Sequence, residues 1–334
     1  MTRKWMLPAC ACVLALMLAA CGGANNSGTP GGDSGSSGNS ESPGNSGGGN
    51  GPLQPGNSAS GSGNGKGSNS GTIPLRAEYV KGEVIIETTV ETSDQNMHFG
   101  SIPMLKKEEK NSVSRTEILG VDGNGYPTEA RLSWTKVEIT EQKNKRMSEE
   151  WGEPTKVESG LTTAVIHYER DPGSADFKST LDEGDDASGA VQKNLDKVDP
   201  FLVPFIPGRE VSIGDSWEVD RKALERFFGE NDKLEVTDQK ATCKAEEMVD
   251  EDGLNLLKVT FDMSMKGKLL DERLGDGTPF SAHTTGYFLW DVDNQRAHKV
   301  EINPTMEFEG ESQGNKITMK QSGKKTMTYK YEMP

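Results

Sequence analysis

The strongest constraint on the fold is a strict period of two. Leu257, Val259, Phe261, Met263 and Met265 alternate with Lys258, Thr260, Asp262, Ser264 and Lys266. Successive side chains of a strand point to opposite faces, so this run has one apolar face and one wet face. In the final segment Ile317, Met319, Met327, Tyr329 and Tyr331 share a parity, with Gly323 read as a bulge or break. Val84, Ile86, Thr88 and Val90 form another alternating run. Turn chemistry separates such runs, at Asp122-Gly123-Asn124-Gly125, Glu251-Asp252-Gly253 and Asp293-Asn294-Gln295. Successive hairpins make antiparallel neighbours. The expected fold class is mainly β: an antiparallel, strongly curved sheet or half-barrel with one or two short helices. One face is expected to be apolar and the other to carry Lys, Glu and Thr.

Helix signals are scarce. Arg221–Phe228 puts Ala223, Leu224, Phe227 and Phe228 on one side, with Asp220 as N-cap and Gly229 just beyond. A second candidate runs from about Ser188 to Val198. Between them lies Val198-Asp199-Pro200-Phe201-Leu202-Val203-Pro204-Phe205-Ile206-Pro207-Gly208, whose three prolines exclude a helix interior and a central strand. It is expected to run extended and bury Phe201, Leu202, Phe205 and Ile206 against the sheet, as a packing connection or as a lid over an apolar cavity. Two hairpins, Ser114–Ile139 and Thr242–Met265, are loosely alike and raise the prospect of two related half-sheets.

Composition explains the rest of the chain. Only 32% of the 334 residues are hydrophobic, and 18 of the 39 glycines fall between Gly22 and Thr72. That segment is Gly, Ser and Asn with Leu53 as its only large apolar residue, so it cannot bury enough surface to offset its ordering entropy. It reads as a disordered tether whose coil spans roughly 40 Å. The globular domain is expected over 73–334. A net charge of −15 argues against a nucleic-acid partner.

The N-terminus reads as an address. Arg3 and Lys4 precede an apolar stretch, Trp5–Ala20, too short to span a bilayer comfortably. It ends in Leu18-Ala19-Ala20-Cys21, which resembles the lipobox of bacterial lipoproteins. The resemblance implies cleavage between Ala20 and Cys21 and a diacylglyceryl thioether on Cys21, usually with an added N-acyl chain. Two or more chains anchor stably where one is marginal. Residues 1–20 would form the signal peptide, leaving 314 residues with 52 acidic and 35 basic side chains, a net charge of −17. Gly22 stands where many Gram-negative lipoproteins carry an inner-membrane retention Asp. The implied location is the cell envelope, on the outer membrane where the host has one. Apart from Cys21 the mature chain would hold one thiol, Cys243, read as a buried small hydrophobe.

A second, shorter resemblance is to exported bacterial β-rich proteins, in which a Pro-rich stretch precedes Val-x-x-Gly-Asp-Ser/Thr-Trp. Here it is Val211-Ser212-Ile213-Gly214-Asp215-Ser216-Trp217, with Gly286-Tyr287-Phe288-Leu289-Trp290-Asp291 further on. It implies a β-rich envelope lipoprotein domain and no particular activity.

A search for catalytic chemistry selects nothing. His283 and His298 flank the Asp293 turn and could face one another, yet a third metal ligand conflicts with strand alternation. The acid clusters at Asp182–Asp186 and Asp250–Asp252 miss the register of a calcium loop. Trp134, Trp151 and Trp290 suit sheet packing or a sugar- or lipid-facing platform. No catalytic residue, metal site or cofactor is assigned. The functional expectation is a membrane-anchored, non-catalytic module that binds an apolar ligand, lipid or envelope protein in a concave face, with Phe201, Phe205, Met263 and Met265 as candidate lining. At the level of the fold it is similar to outer-membrane lipoprotein carrier and insertion proteins. The alternatives are a hydrolase of envelope polymer and a purely structural surface component.

Overall fold

The computed structural model describes residues 71–145, 148–171, 174–185, 189–197, 199–201, 203–228, 234–270, 277–312 and 314–334. The expected signal peptide, Ala20, Cys21, the expected tether up to residue 70, and Leu202 lie outside them. Long strands dominate: β2 (Val84–Phe99), β3 (Ile102–Val121), β4 (Pro127–Lys143), β10 (Leu234–Glu251), β11 (Leu254–Leu269), β12 (Thr278–Asp291), β13 (Arg296–Ser312) and β14 (Asn315–Glu332). Shorter ones are β5 (Thr155–Val157), β6 (Val165–Glu169), β7 (Lys178–Glu183) and β9 (Ser216–Glu218). They form one open, curved antiparallel sheet in the order β7-β6-β4-β3-β2-β14-β13-β12-β11-β10-β9, with β5 against β4. A two-stranded ladder joins β1 (Ile73–Leu75) to β8 (Arg209–Val211). The helices are α1 (Gly189–Leu195) and α2 (Arg221–Phe228), and among the described residues no helix is long and apolar enough to cross a membrane.

Two meanders make this sheet, and their first and last strands meet. β2 and β14 pair without a register shift from Phe99↔Ile317 to Val84↔Glu332. The hairpins at Ser114–Ile139 and Thr242–Met265 are β3–β4 and β10–β11, one in each meander. Their turns follow the residues that demanded them. Asp252 and Gly253 both have positive φ, as a two-residue primed turn requires. The Asp122 carboxylate accepts from the amides of Asn124 and Tyr126.

One face of the sheet, here the inner face, carries Phe261, Met263 and Met265. Cross-strand partners share a face, so the register extends it in rows. One row is Met104, Met97, Met319, Phe308, Phe280 and Gly267. Two residues along comes Lys106, Gln95, Gln321, Met306, Ala282 and Met265. Four further along comes Lys110, Glu91, Lys325, Ile302, Gly286 and Phe261. Two glycines let aromatic rings lie flat on the sheet. A Cβ on Gly286 would sit 2.4 Å from the Phe261 ring, and one on Gly267 would sit 2.8 Å from Phe280.

Two sequence readings are corrected. Gly323 is neither bulge nor break, since β14 runs through it in constant register with β2. It is needed because a Cβ there would meet the Thr92 carbonyl at 2.8 Å. The alternation of Val84, Ile86, Thr88 and Val90 is inverted: these residues take the outer parity, and Val90 is 44% exposed. Val84 is buried at the strand's start, but further along it is Thr89 and Glu91 that are buried. The partners of β2 dictate this parity, because Met97 must join Met319 and Met104 on the inner face.

The Pro-rich connection runs as turns rather than extended chain. Phe205 stacks on Phe261 at 4.6 Å, and Phe201 packs edge-on to Tyr79 at 5.7 Å. Asp199 ties its start down, accepting from the Tyr126 hydroxyl at 2.9 Å and from the Phe201 amide at 3.1 Å. Trp217 Nε1 donates to the Phe205 carbonyl at 3.1 Å, which gives the Gly-Asp-Ser-Trp segment a structural task.

Beneath this connection Arg296 bonds Glu83, both buried, and the guanidinium lies 5.1 Å from the Tyr331 ring centre. A buried ion pair contributes little net, but breaking it strands a charge. Arg296→Met is therefore expected to cost about 3–5 kcal/mol in urea unfolding. Adding Glu83→Gln should restore most of that loss, a coupling that a double-mutant cycle reads directly.

Candidate functional site

The inner face is divided among three apolar clusters, and they differ in what lies over them. The first, around Trp290, Phe261 and Val259, includes Leu75, Phe205, Val211, Val219 and Leu224 from β1, the Pro-rich connection, β8, the segment after β9 and α2. The second, around Ile166 and Tyr168, includes Leu161 from the 3-10 turn Gly160–Thr163 and Ala190 and Val191 from α1. The third contains Met97, Met265, Leu269, Phe280, Ala282, Met306, Phe308, Ile317 and Met319. Every member of it belongs to a sheet strand, as do the partly buried Phe99, Met104, Leu234 and Val236 packed against it. No described helix or connection contributes to that cluster.

This third cluster is rich in methionine. Unbranched thioether side chains adapt to apolar partners of irregular shape and recur at binding surfaces for that reason. The Gln95 amide reaches the Met319 sulfur at 3.3 Å, marking the edge of the patch.

Along the same face toward β2, β3 and β4 the chemistry changes. Lys110 and Lys325 stand directly opposite Glu91, one on each neighbouring strand, and all three are buried. Glu108 and Glu141 share the Lys106 ammonium at 2.7 Å, and Lys143 bonds Glu141 at 2.7 Å. Burial pushes the Lys110 ammonium down to about 8, against the attraction of Glu91. Burial also raises the Glu91 carboxyl above its ordinary value, with Lys325 and Lys110 opposing. Lys106 goes the other way: burial would lower it, but Glu108 and Glu141 outweigh that and raise it. Glu91 Oε2 and Gln321 Oε1 are buried without a hydrogen-bond partner. Sheet interiors place charges this way at a cost in stability, and such exceptions cluster at functional sites.

The outer face holds two shallow, adjoining valleys of about 790 and 620 Å³. Asp94, Asn96, Glu307 and Lys320 line the first, closed on one side by Trp151, over which the Lys107 ammonium sits at 4.7 Å. Of these, Glu307 and Lys320 pair at 4.0 Å.

The sequence-predicted lining residues separate. Phe205 and Met263 belong to the first cluster, Phe201 packs on the second, and Met265 sits in the third. Only Phe205 and Met263 share a cluster. His283 does not face His298, because register sets it opposite Thr305, where its Nε2 meets Asp262 at 3.0 Å. The tryptophans form no platform: Trp290 is buried in the first cluster, Trp134 packs on the second, and Trp151 lies on the outer face. Among the described residues no group of three or more His, Cys, Asp or Glu could hold a metal. Cys243 is buried and its thiol is pushed up to about 12, which makes it unreactive. Sequence reasoning missed Glu91, Lys110 and Lys325. The available signal was Glu91 and Lys325 occupying the parity of Met97 and Met319 on their own strands.

No protein-family model matches the chain, and no curated protein matches its sequence. Among solved structures it is similar to lipovitellin, in a structure describing lipid–protein interactions in that protein. The TM-score is 0.42 at 8% identity, over 76% of this chain and 26% of that one. OprB of Pseudomonas putida at low pH gives a TM-score of 0.17 at 8% identity, over 75% of this chain and 93% of that one. The chain thus spans about a quarter of the length of lipovitellin.

The buried lysine makes a pH prediction. Lys110 faces Glu91, Lys325, Glu108 and Lys197, and its folded pKa lies below the usual 10.5. Between about 8 and 10.5 the unfolded chain therefore holds more protons at this site, so this contribution to stability rises with pH. Below 8 the penalty is fully present. Lys110→Met should stabilise the protein at pH 7 by roughly 1–3 kcal/mol. That gain should shrink as urea midpoints are compared from pH 8 to pH 10.

Proposed function

We propose that the protein is a lipid-anchored, non-catalytic envelope module that holds the acyl chain of an amphiphile against the methionine-rich part of its inner face. The observation that supports this reading is the contrast between the three clusters: two have described helices or connections over them, and among the described residues the third is built from strands alone. Its nine buried apolar side chains include two phenylalanines and four methionines, a composition suited to flexible hydrocarbon. Each methylene buried there contributes about 0.8 kcal/mol, so a chain of a dozen carbons supplies ample binding energy even after ordering costs. Anchoring through Cys21 and a long tether fits a module that takes up or presents such molecules near a membrane.

A hydrolase reading has less support. The two carboxyls raised above their ordinary values among the described residues, Glu91 and Asp199, share no partner. Asp199 is engaged in fastening the Pro-rich connection.

Two measurements test the proposal. Cis-parinaric acid titrated into the full mature chain should bind saturably. Ala282→Trp, which fills the centre of the patch, should weaken binding at least about tenfold, equivalent to about 1.4 kcal/mol. Met306→Gln should weaken it less, and Glu307→Gln, on the outer face, should leave it unchanged. Circular dichroism establishes that each variant folds. A second test addresses the anchor: Cys21→Ser should move the protein from the membrane to the soluble fraction.

A further inference from the structure

The outer face carries a feature that an acyl-chain cradle on the inner face does not use. The larger of its two valleys, about 790 Å³, crosses the strands instead of following them. Register defines its walls. Ser264, His283, Thr305, Ser322 and Asp94 stand side by side along one, from β11 to β2. Lys266, Ser281, Glu307, Lys320 and Asn96 stand along the other. All of these but Ser281 are exposed. The floor between them is the backbone of the row Met265, Ala282, Met306, Gln321 and Gln95, whose side chains take the inner face. Walls two residues apart on each strand leave a width of about 7 Å. The six strands from β11 to β3, where Leu105 joins the lining, give a length of about 24 Å.

Trp151 closes the β3 end of this trough and supplies its large apolar surface. The segment that carries it is fastened to the end of β4. Gln142 Nε2 donates to the Gly152 carbonyl at 2.9 Å, and the Gly152 amide donates to the Lys143 carbonyl at 2.8 Å. Asn144 Nδ2 donates to the Ser148 carbonyl. A ring held in place beforehand costs a ligand little ordering entropy.

The lining selects among ligand classes. Its charges balance, with Asp94 and Glu307 against Lys266 and Lys320, in a chain whose net charge is −15. A polyanion or polycation finds no complementary field there. A peptide adds to a sheet through unpaired main-chain groups at an edge, whereas the strands of this floor have neighbours on both sides. Hydrocarbon would strip water from polar side chains along both walls and replace none of their hydrogen bonds. A chain of hydroxyl-bearing rings meets every condition. Its hydroxyls donate to Asp94 and Glu307, accept from Lys266 and Lys320, and do both with Asn96 and the wall serines. The C–H face of a sugar ring packs on an indole. We infer that the trough binds an uncharged glycan chain laid across the strands, with one sugar ring against Trp151.

This site is separate from the acyl-chain reading, and the two fail separately. Isothermal titration calorimetry of the full mature chain is run with cellohexaose and chitohexaose as uncharged probes. Hexagalacturonate and the chitosan hexamer serve as charged ones. At least one uncharged probe should bind saturably, and at least about tenfold more tightly than either charged one. Trp151→Ala should weaken that binding at least about tenfold, and Trp151→Phe should weaken it less, because a smaller ring still stacks. Ser281→Trp, which fills the trough, should remove it. Met306→Gln, on the inner face, should leave it unchanged, and circular dichroism establishes that each variant folds. Failure of both uncharged probes, tighter binding of a charged one, or undiminished binding in Trp151→Ala or Ser281→Trp overturns the glycan inference and leaves the acyl-chain reading intact. Loss of cis-parinaric acid binding beside intact glycan binding overturns the acyl-chain reading alone.

Discussion

The pairing of the first long strand with the last holds the molecule together. β2 and β14 lie at opposite ends of the folded sequence, and their ladder is what makes two meanders into one sheet. Without it each half would expose an unpaired edge and an incomplete inner face. Such a contact closes a very long loop, so it forms late and is slow to form. Its register is pinned from one side by Met97 against Met319 and from the other by Gly323, where no side chain fits beneath the Thr92 carbonyl.

The buried charges and amides of the inner face sit on that seam. Glu91 comes from one meander and Lys325 from the other, and the same holds for Gln95 and Gln321. The arrangement also grades the inner face from hydrocarbon at Phe308 and Met319, through amides at Gln95 and Gln321, to charge at Glu91 and Lys110. An amphiphile has the same gradient.

Much of the fold was legible from alternation and turn chemistry. β11 contains the run from Leu257 to Met265, and α2 matches Arg221–Phe228 residue for residue. Those segments are simple because one face is apolar, so pattern and parity agree. The failures came where they disagree. On β2 the apolar side chains of Val90 and Ile86 face outward while Glu91 and Thr89 face in, so hydrophobicity points to the wrong face. Only the partner strands, through Met97 and Met319, set it right. The candidate site was obscured for the same reason. Met265 was identified from its own strand, but its neighbours Ala282, Met306 and Gln321 come from three others. The sequence of one strand says nothing of which residues will stand beside it. Phe201 and Phe205 pack as the sequence reading of a packing connection expects, but apolar residues flanked by proline suit a lid equally well, so the sequence alone left both open.

The central claim is that hydrocarbon occupies the inner face over the methionine patch. Its most direct test is photo-crosslinking of the full mature chain with a phosphatidylethanolamine carrying a diazirine on its acyl chain, followed by residue-level mass spectrometry. The account predicts adducts on Met306, Phe308 and Met319. Adducts confined to outer-face residues such as Glu307, Lys320 and Trp151 would contradict it.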